Sequence, residues 1–215
     1  MADAGSELLE QPPIMTIESE RLQLKTIQMS DLPAVMPIIT DMEVMKWTTQ
    51  GPPANIEQAE RWLSARTLGS DVFNFVMREK TSDGVGSEIV GIMGSFHVPK
   101  CGYLIRTDRA GKGYATEALR AFLPAYFERV PPASEGGTGV DFIEGYVDVE
   151  NKASQRVLDK CGFTLCESLP GEIENLMGLR DVLLYRCPRP GRTLEELGLI
   201  RSPQALEDPP EPPVQ

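Results

Sequence analysis

Two glycines, Gly111 and Gly113, fall where a strand-like run gives way to a helix-like one. The segment reads Asp108-Arg109-Ala110-Gly111-Lys112-Gly113-Tyr114-Ala115-Thr116-Glu117. Its two glycines and two alanines let backbone N–H groups converge without side-chain obstruction. Together with the positive end of the helix dipole, those donors form an anion site, and a pyrophosphate is the natural guest. Two other phosphate loops fail on detail. A Walker loop needs G-x-x-x-x-G-K-[ST], whereas Lys112 precedes Gly113 with no such frame. A Rossmann fingerprint needs G-x-G-x-x-G early in a βαβ unit, whereas Gly113 is followed by Thr116 and the turn lies mid-chain. The plainer reading of the glycines is a tight strand-to-helix connection.

Metal chemistry finds little support. The four cysteines, Cys101, Cys161, Cys166 and Cys187, form no C-x-x-C pair, and the one histidine, His97, stands apart from them. A zinc site is not expected.

The elements that must position the turn follow from periodicity. Leu22 and Leu24, with Thr26 after them, alternate as in a strand. Ser30-Asp31-Leu32-Pro33 reads as an N-cap entering a helix, with proline tolerated in the first turn. Asn55-Ile-Glu-Gln58 resembles a capping box ahead of Ala59, Trp62, Leu63 and Arg66 at helical spacing. Strands are expected at Val72–Met77, at the glycine-broken Ile89–Phe96, and at Tyr103–Ile105. A helix follows from Glu117, with Ala118, Leu119, Phe122, Ala125 and Tyr126 on one stripe and Pro124 set to kink or shorten it. Phe142–Val149 reads as a strand and Ala153–Cys161 as a helix closed by Gly162 at C′. Phe163–Cys166 and Val182–Arg186 finish as strands. The pattern is a mixed α/β chain.

Of the 215 residues, 41% are apolar, which is enough for one core. Residues 1–13 read as a loose leader, 14–188 as the domain, and 189–215 as a proline-rich acidic tail that buries too little to order itself. A formal charge of −11 repels phosphate backbones, so neither a nucleic-acid nor a membrane partner is expected. The same charge favours a cationic substrate such as an amine, or serves solubility alone. The start has no basic or apolar leader, and no apolar run reaches the length of a membrane span, so a cytoplasmic protein with reduced thiols is expected.

In order along the chain stand Glu20-Arg21-Leu22-Gln-Leu24, Ile89-Val-Gly91, Gly102-Tyr103-Leu104, Gly111-Lys-Gly-Tyr-Ala-Thr-Glu-Ala118, Asn151-Lys-Ala-Ser154, Lys160-Cys-Gly-Phe163 and Asp181-Val-Leu-Leu-Tyr185. From Ile17 to Arg186 the chain resembles the GNAT N-acetyltransferases, nearest the branch that includes the ribosomal-protein alanine acetyltransferases. The resemblance implies a GNAT fold, with a mostly antiparallel mixed sheet, splayed fourth and fifth strands, and helices on both faces. It implies acetyl-CoA as cosubstrate, a small-molecule or peptide amine as acceptor, and a monomer or homodimer. The family's pyrophosphate pattern [R/Q]-x-x-G-x-[G/A] lays Gly113 and Ala115 on its last two defined positions. Its first falls on Ala110, with Arg109 one residue earlier. The cofactor-binding set is thus Ile105, Arg106, Thr107, Arg109, Ala110, Gly111, Lys112, Gly113, Tyr114, Ala115, Thr116 and Asn151. Pantetheine amides would pair with the free edge of the fourth strand near Ile105–Thr107.

Acetyl transfer from a thioester to an amine needs the amine neutral, a donor for the oxyanion, and a proton or hydrogen bond for the leaving thiolate. Some relatives place a tyrosine seven residues after the helix-starting Asn, but here that position is Leu158. In the branch resembled, a serine three residues after the Asn is the candidate, and Ser154 fits. Asn151 caps the helix or also meets the pantetheine arm. For the base, Glu144 and Asp148 share strand parity, with Tyr146 between them. They form an acidic funnel if that face is the cleft, or a solvated strand face if it is not. Glu150 is a further candidate. His97 lies beside Pro99-Lys100 in an expected turn, and a water with a backbone carbonyl is an alternative to any single base. The resemblance also implies that the segment Met42 to Ile56, joining the first two helices, borders the acceptor site, where Thr48, Thr49, Gln50 and Gly51 would shape substrate choice; Trp47 and Trp62 read as core or a pocket wall. A competing reading keeps the fold as an acyl-CoA-binding module with little turnover, given Ala110 and Leu158.

Overall fold

The computed structural model describes residues 13–69, 72–136 and 139–200, apart from the side chain of Ser87. One sheet runs in the order β1 (Thr16–Glu18), β2 (Leu22–Thr26), β3 (Phe73–Thr81), β4 (Gly84–His97), β5 (Lys100–Ile105), β6 (Phe142–Asp148), β8 (Gly178–Pro188) and β7 (Thr164–Asn175). Neighbours are antiparallel except β5 and β6, which are parallel. Among the described residues five α-helices flank it: α1 (Leu32–Ile39), α2 (Met42–Met45), α3 (Ile56–Thr67), α4 (Tyr114–Arg129) and α5 (Lys152–Lys160).

Strand alternation splits the core in two. Phe73, Phe75 and Met77 of β3 join Leu22 and Leu24 under α4 and α5. Val76, between them, joins Ile89 and Ile92 under α1, α2 and α3. The α4 stripe of Ala118, Leu119, Phe122 and Tyr126 is buried on the first side. Each large side chain of that kind contributes roughly 1.5–3 kcal/mol on burial. The sheet is therefore covered on both faces, as the sequence pattern and the resemblance imply.

The local signals give the expected ends. Asn55 Oδ1 accepts from the Gln58 amide at 2.9 Å, and Gln58 Oε1 accepts from the Ala54 amide at 2.9 Å. Gly162, with φ +82°, closes α5. There the Phe163 amide reaches the Leu158 carbonyl and the Gly162 amide the Asp159 carbonyl, a Schellman motif. Asp31 departs from expectation. It precedes α1 without a side-chain cap to that helix; its carboxylate instead accepts from the Gln28 amide at 2.9 Å and from Arg78 at 3.0 Å.

Other elements differ from the sequence reading. α4 begins at Tyr114 rather than Glu117 and continues through Pro124. Pro124 lies on the exposed side, where solvent can satisfy the carbonyl its ring leaves free. The hairpin of β7 and β8 reaches much further than Cys166. Packing also continues past Pro188. Arg189 donates to the carbonyls of Phe127 (2.6 Å), Val130 (2.6 Å) and Val140 (2.9 Å), and Leu194 is buried. Residues 1–12 and 201–215, the rest of the expected leader and tail, lie outside the described residues.

Candidate active site

The parallel junction of β5 and β6, the one such pairing among the described residues, makes the cleft. β5 meets β6 at a single register pair, Lys100 opposite Glu144. Beyond it β5 keeps only its β4 partner among the described residues. The expected splayed strands are these two. Along the wedge lies a cavity of 540 Å³. Tyr103, Leu104 and Ile105 line it from β5, the glycine turn and the start of α4 from one end, and Asn151, Ser154 and Val157 from α5.

The turn is built for backbone donors. Gly111 and Gly113 have φ of +77° and +83°, where a side chain costs about 1–2 kcal/mol. The amides of Gly111, Lys112 and Gly113 donate to no protein acceptor among the described residues. They sit at the positive end of the sixteen-residue α4.

Arg21, far off in sequence, holds this turn. Its Nη1 donates to the Lys112 carbonyl at 3.0 Å, its Nε to Glu117 Oε2 at 2.7 Å and its amide to Glu117 Oε1 at 2.6 Å. Its guanidinium also lies 4.9 Å from the Tyr114 ring centroid. Ser19 Oγ donates to Glu117 Oε1 as well, at 2.7 Å. Burial pushes the Glu117 carboxyl up. The bonds from the Arg21 amide, Ser19 and the Arg21 side chain outweigh it and hold Glu117 below its ordinary value. On the other side of the turn, Thr107 Oγ1 donates to Asp41 Oδ2 at 2.5 Å.

At α5, Asn151 Oδ1 accepts from the Ser154 amide at 3.0 Å, an N-cap. Ser154 Oγ lies 2.7 Å from the Tyr103 hydroxyl. Gly145 of β6 gives α5 its close seat: a Cβ there would stand 3.2 Å from Leu158. Burial raises the Tyr103 phenol well above its ordinary range, and the Ser154 hydrogen bond offsets part of that rise.

The cavity gathers most of the residues singled out in the sequence: Ile105, Thr107, Arg109, Ala110, Gly111, Gly113, Tyr114, Ala115, Thr116, Asn151 and Ser154 all line it. Lys112 is not among the lining residues, and its carbonyl accepts from Arg21. Arg106 is turned to Asp108 at 3.0 Å and Glu88 at 3.7 Å. Arg109 meets Glu88 at 3.0 Å and Glu79 at 3.9 Å, and the Tyr114 hydroxyl also bonds Glu79. Glu144 and Asp148 stand apart from the cavity wall. Glu144 is buried against Arg186 at 3.3 Å, and Asp148 against Arg180 at 2.8 Å. Glu150 takes the same Arg180 at 2.7 Å. His97 is exposed at the end of β4. Tyr103 and Arg21 are not among the site residues expected from the sequence. Parity with Ile105, two residues on, is the signal that marks Tyr103. For Arg21 spacing offers none.

A family model described as the acetyltransferase (GNAT) domain matches residues 21–164. No curated protein matches the sequence significantly. Among solved structures, an acetyltransferase of the GNAT family from Bacillus anthracis shares 22% identity, with 81% of this chain and 98% of that one covered and a TM-score of 0.64. The acetyl transferase from Salmonella typhimurium that modifies the N-terminal serine of ribosomal protein L7/L12 shares 18%, with 81% and 99% covered and a TM-score of 0.63. The microcin C7 self-immunity acetyltransferase MccE, solved with acetyl-CoA and AMP, shares 17%, with 79% and 93% covered and a TM-score of 0.60. At such identities these likenesses are of fold. The family model spans the wedge, the glycine turn and Ser154, and by it the chain belongs to the GNAT acetyltransferase family.

Proposed function

We propose that the protein moves the acetyl group of acetyl-CoA to a primary amine by direct attack in a ternary complex. The observation that carries this reading is one cavity lined both by Gly111 and Gly113, whose amides are free, and by Ser154. The donor set fits a pyrophosphate: three unpaired amides, glycine backbone in the left-handed region, and a helix N-terminus. The unpaired edge of β5 suits the amides of the pantetheine arm, which would add to it as a strand does. Arg109 reaches a phosphate by leaving Glu88. Ser154 then supplies the hydrogen bond to the leaving sulfur, and Asn151 holds the helix that carries it.

What supports a cationic amine as acceptor is the wall made by α2 and the turn after it, where Glu43 and Trp47 line the same cavity. The chain's own Lys46 ammonium already samples this pair, 2.5 Å from Glu43 and 5.2 Å from the Trp47 centroid. A carboxylate beside an indole face is a receptor for alkylammonium. The N-terminal serine acceptor of the Salmonella protein supports an amine of peptide origin, and a small-molecule amine meets the same chemistry.

A melting experiment tests the cosubstrate. Acetyl-CoA at a hundred times its Kd stabilises the folded state by about 2.7 kcal/mol. The wild type is expected to melt higher with acetyl-CoA and a Gly113→Glu variant to show no shift. No rise in the wild type at millimolar ligand would remove the reading. Binding without amine-dependent turnover would leave the acyl-CoA-binding module, the reading that Ala110 and Leu158 favour.

A further inference from the structure

Ser154 sits in the first turn of α5, where a serine hydroxyl ordinarily folds back on nearby backbone. Here the neighbouring capping place is filled, because Asn151 Oδ1 takes the Ser154 amide. The Ser154 hydroxyl is met instead from across the wedge by Tyr103, whose hydroxyl lies 2.7 Å from Ser154 Oγ and 3.2 Å from the Ser154 carbonyl oxygen. Both side chains line the cavity.

We propose that Tyr103 is a positioning residue that aims the Ser154 proton at the sulfur of the leaving group. The inference rests on the acetyl-transfer reading above. A phenol has one proton to give. If Tyr103 donates to the Ser154 carbonyl, the serine proton turns back to the phenol oxygen and the pair is closed. If Tyr103 donates to Ser154 Oγ, the serine proton is released into the cavity. Negative charge growing on sulfur selects the second arrangement.

The proton count then closes without ionising the tyrosine. The amine, bound as its cation, first gives one proton to solvent; the neutral amine then attacks, forming the C–N bond and leaving one surplus proton on nitrogen. The C–S bond breaks with its electron pair going to sulfur. Ser154 Oγ gives its proton to sulfur and receives the surplus proton from nitrogen. The products are the amide and the free thiol. Burial of the phenol opposes phenolate formation, so Tyr103 orients the serine and leaves the reaction with its own proton. With Leu158 at the helix position where a tyrosine could stand, the only phenol touching Ser154 among the described residues comes from the strand side of the cleft.

The experiment compares wild type, Tyr103→Phe, Ser154→Ala and the double variant in amine-dependent CoA release, with acetyl-CoA affinity and melting measured on each. Phenylalanine keeps the ring and so the cavity wall. The proposal expects Tyr103→Phe to lower kcat about tenfold, the rate equivalent of one hydrogen bond. It expects acetyl-CoA Kd and melting to stay near wild type, and the double variant to be no slower than Ser154→Ala alone. Losses that multiply in the double variant, or a Tyr103→Phe enzyme as fast as wild type beside a slow Ser154→Ala, would overturn the role of Tyr103 and leave acetyl transfer standing. A wild type that releases no CoA with any amine would overturn the acetyl-transfer reading itself.

Discussion

Replacing Gly113 by alanine separates the backbone's conformation from its service to a ligand. At φ +83° the residue lies in the left-handed region. A Cβ built there meets only Arg21 Nη2, at 3.4 Å, an ordinary contact. The protein itself therefore charges alanine for backbone strain alone, about 1–2 kcal/mol. For a chain of this size that lowers Tm by roughly 2–8 °C, at 2–4 °C per kcal/mol. Gly162, with φ +82° and nothing within 4 Å of its Cβ, is the matched control at the far end of α5. Its alanine variant carries the same strain away from the turn. The two variants should melt alike, yet part in affinity. Relief of strain at residue 113 turns the converging amides away, and a loss of about 1.4 kcal/mol in binding is tenfold in Kd. Titration calorimetry with acetyl-CoA reads it directly. An acetyl-CoA Kd about tenfold or more weaker in Gly113→Ala, with Gly162→Ala at the wild-type value, is the expected result. Equal affinities in both, beside equal losses of Tm, would refute the placing of the pyrophosphate on this turn.

Three further outcomes concern charged side chains. Burial pushes Asp148 up, but the Arg180 hydrogen bond, the Glu150 amide and the Arg180 charge hold it low overall, and Glu117 is lowered as well. A depressed carboxyl stabilises the fold above its unfolded pKa, about 4, and that stability is lost as pH falls through the lower folded value. Urea titrations from pH 6 to 2 should accordingly show a shallower acid loss in Asp148→Asn and Glu117→Gln than in wild type. Arg189→Met strands the carbonyls that Arg189 now satisfies and should cost about 2–4 kcal/mol in urea unfolding, whereas a loss under 0.5 kcal/mol would deny that the packed domain extends past Pro188. Glu43→Gln should raise KM for a cationic amine several-fold while leaving acetyl-CoA affinity unchanged, and an unchanged amine KM would take Glu43 out of the acceptor site.

What the sequence revealed was local chemistry. Asn55, Asn151 and Gly162 mark helix ends because a cap needs only residues within one turn. The glycine turn is legible for the same reason. The rest depends on partners distant in sequence. Arg21 reaches Glu117 and Lys112 only after α4 packs on the face of the sheet beside β2. Parity put Glu144 and Asp148 on one face of β6, but their charges are met by Arg186 and Arg180 of β8, a strand whose register no spacing discloses. Tyr103 reaches Ser154 across the diverging strands in the same way. The long hairpin after Cys166 carries Pro170, Gly171 and Gly178 among acidic residues, so its local preference reads as loop until β8 pairs with it.

Amine-dependent release of CoA from acetyl-CoA bears most directly on the account. Purified protein is mixed with acetyl-CoA and a panel of alkyl amines and N-terminal peptides, and free thiol is followed against a blank without amine. Thiol release is expected to saturate with amine, to match acetylated product one for one by mass, and to fall sharply in Gly113→Glu and Ser154→Ala. Release no faster than background hydrolysis across the whole panel, from protein that binds acetyl-CoA, would contradict it.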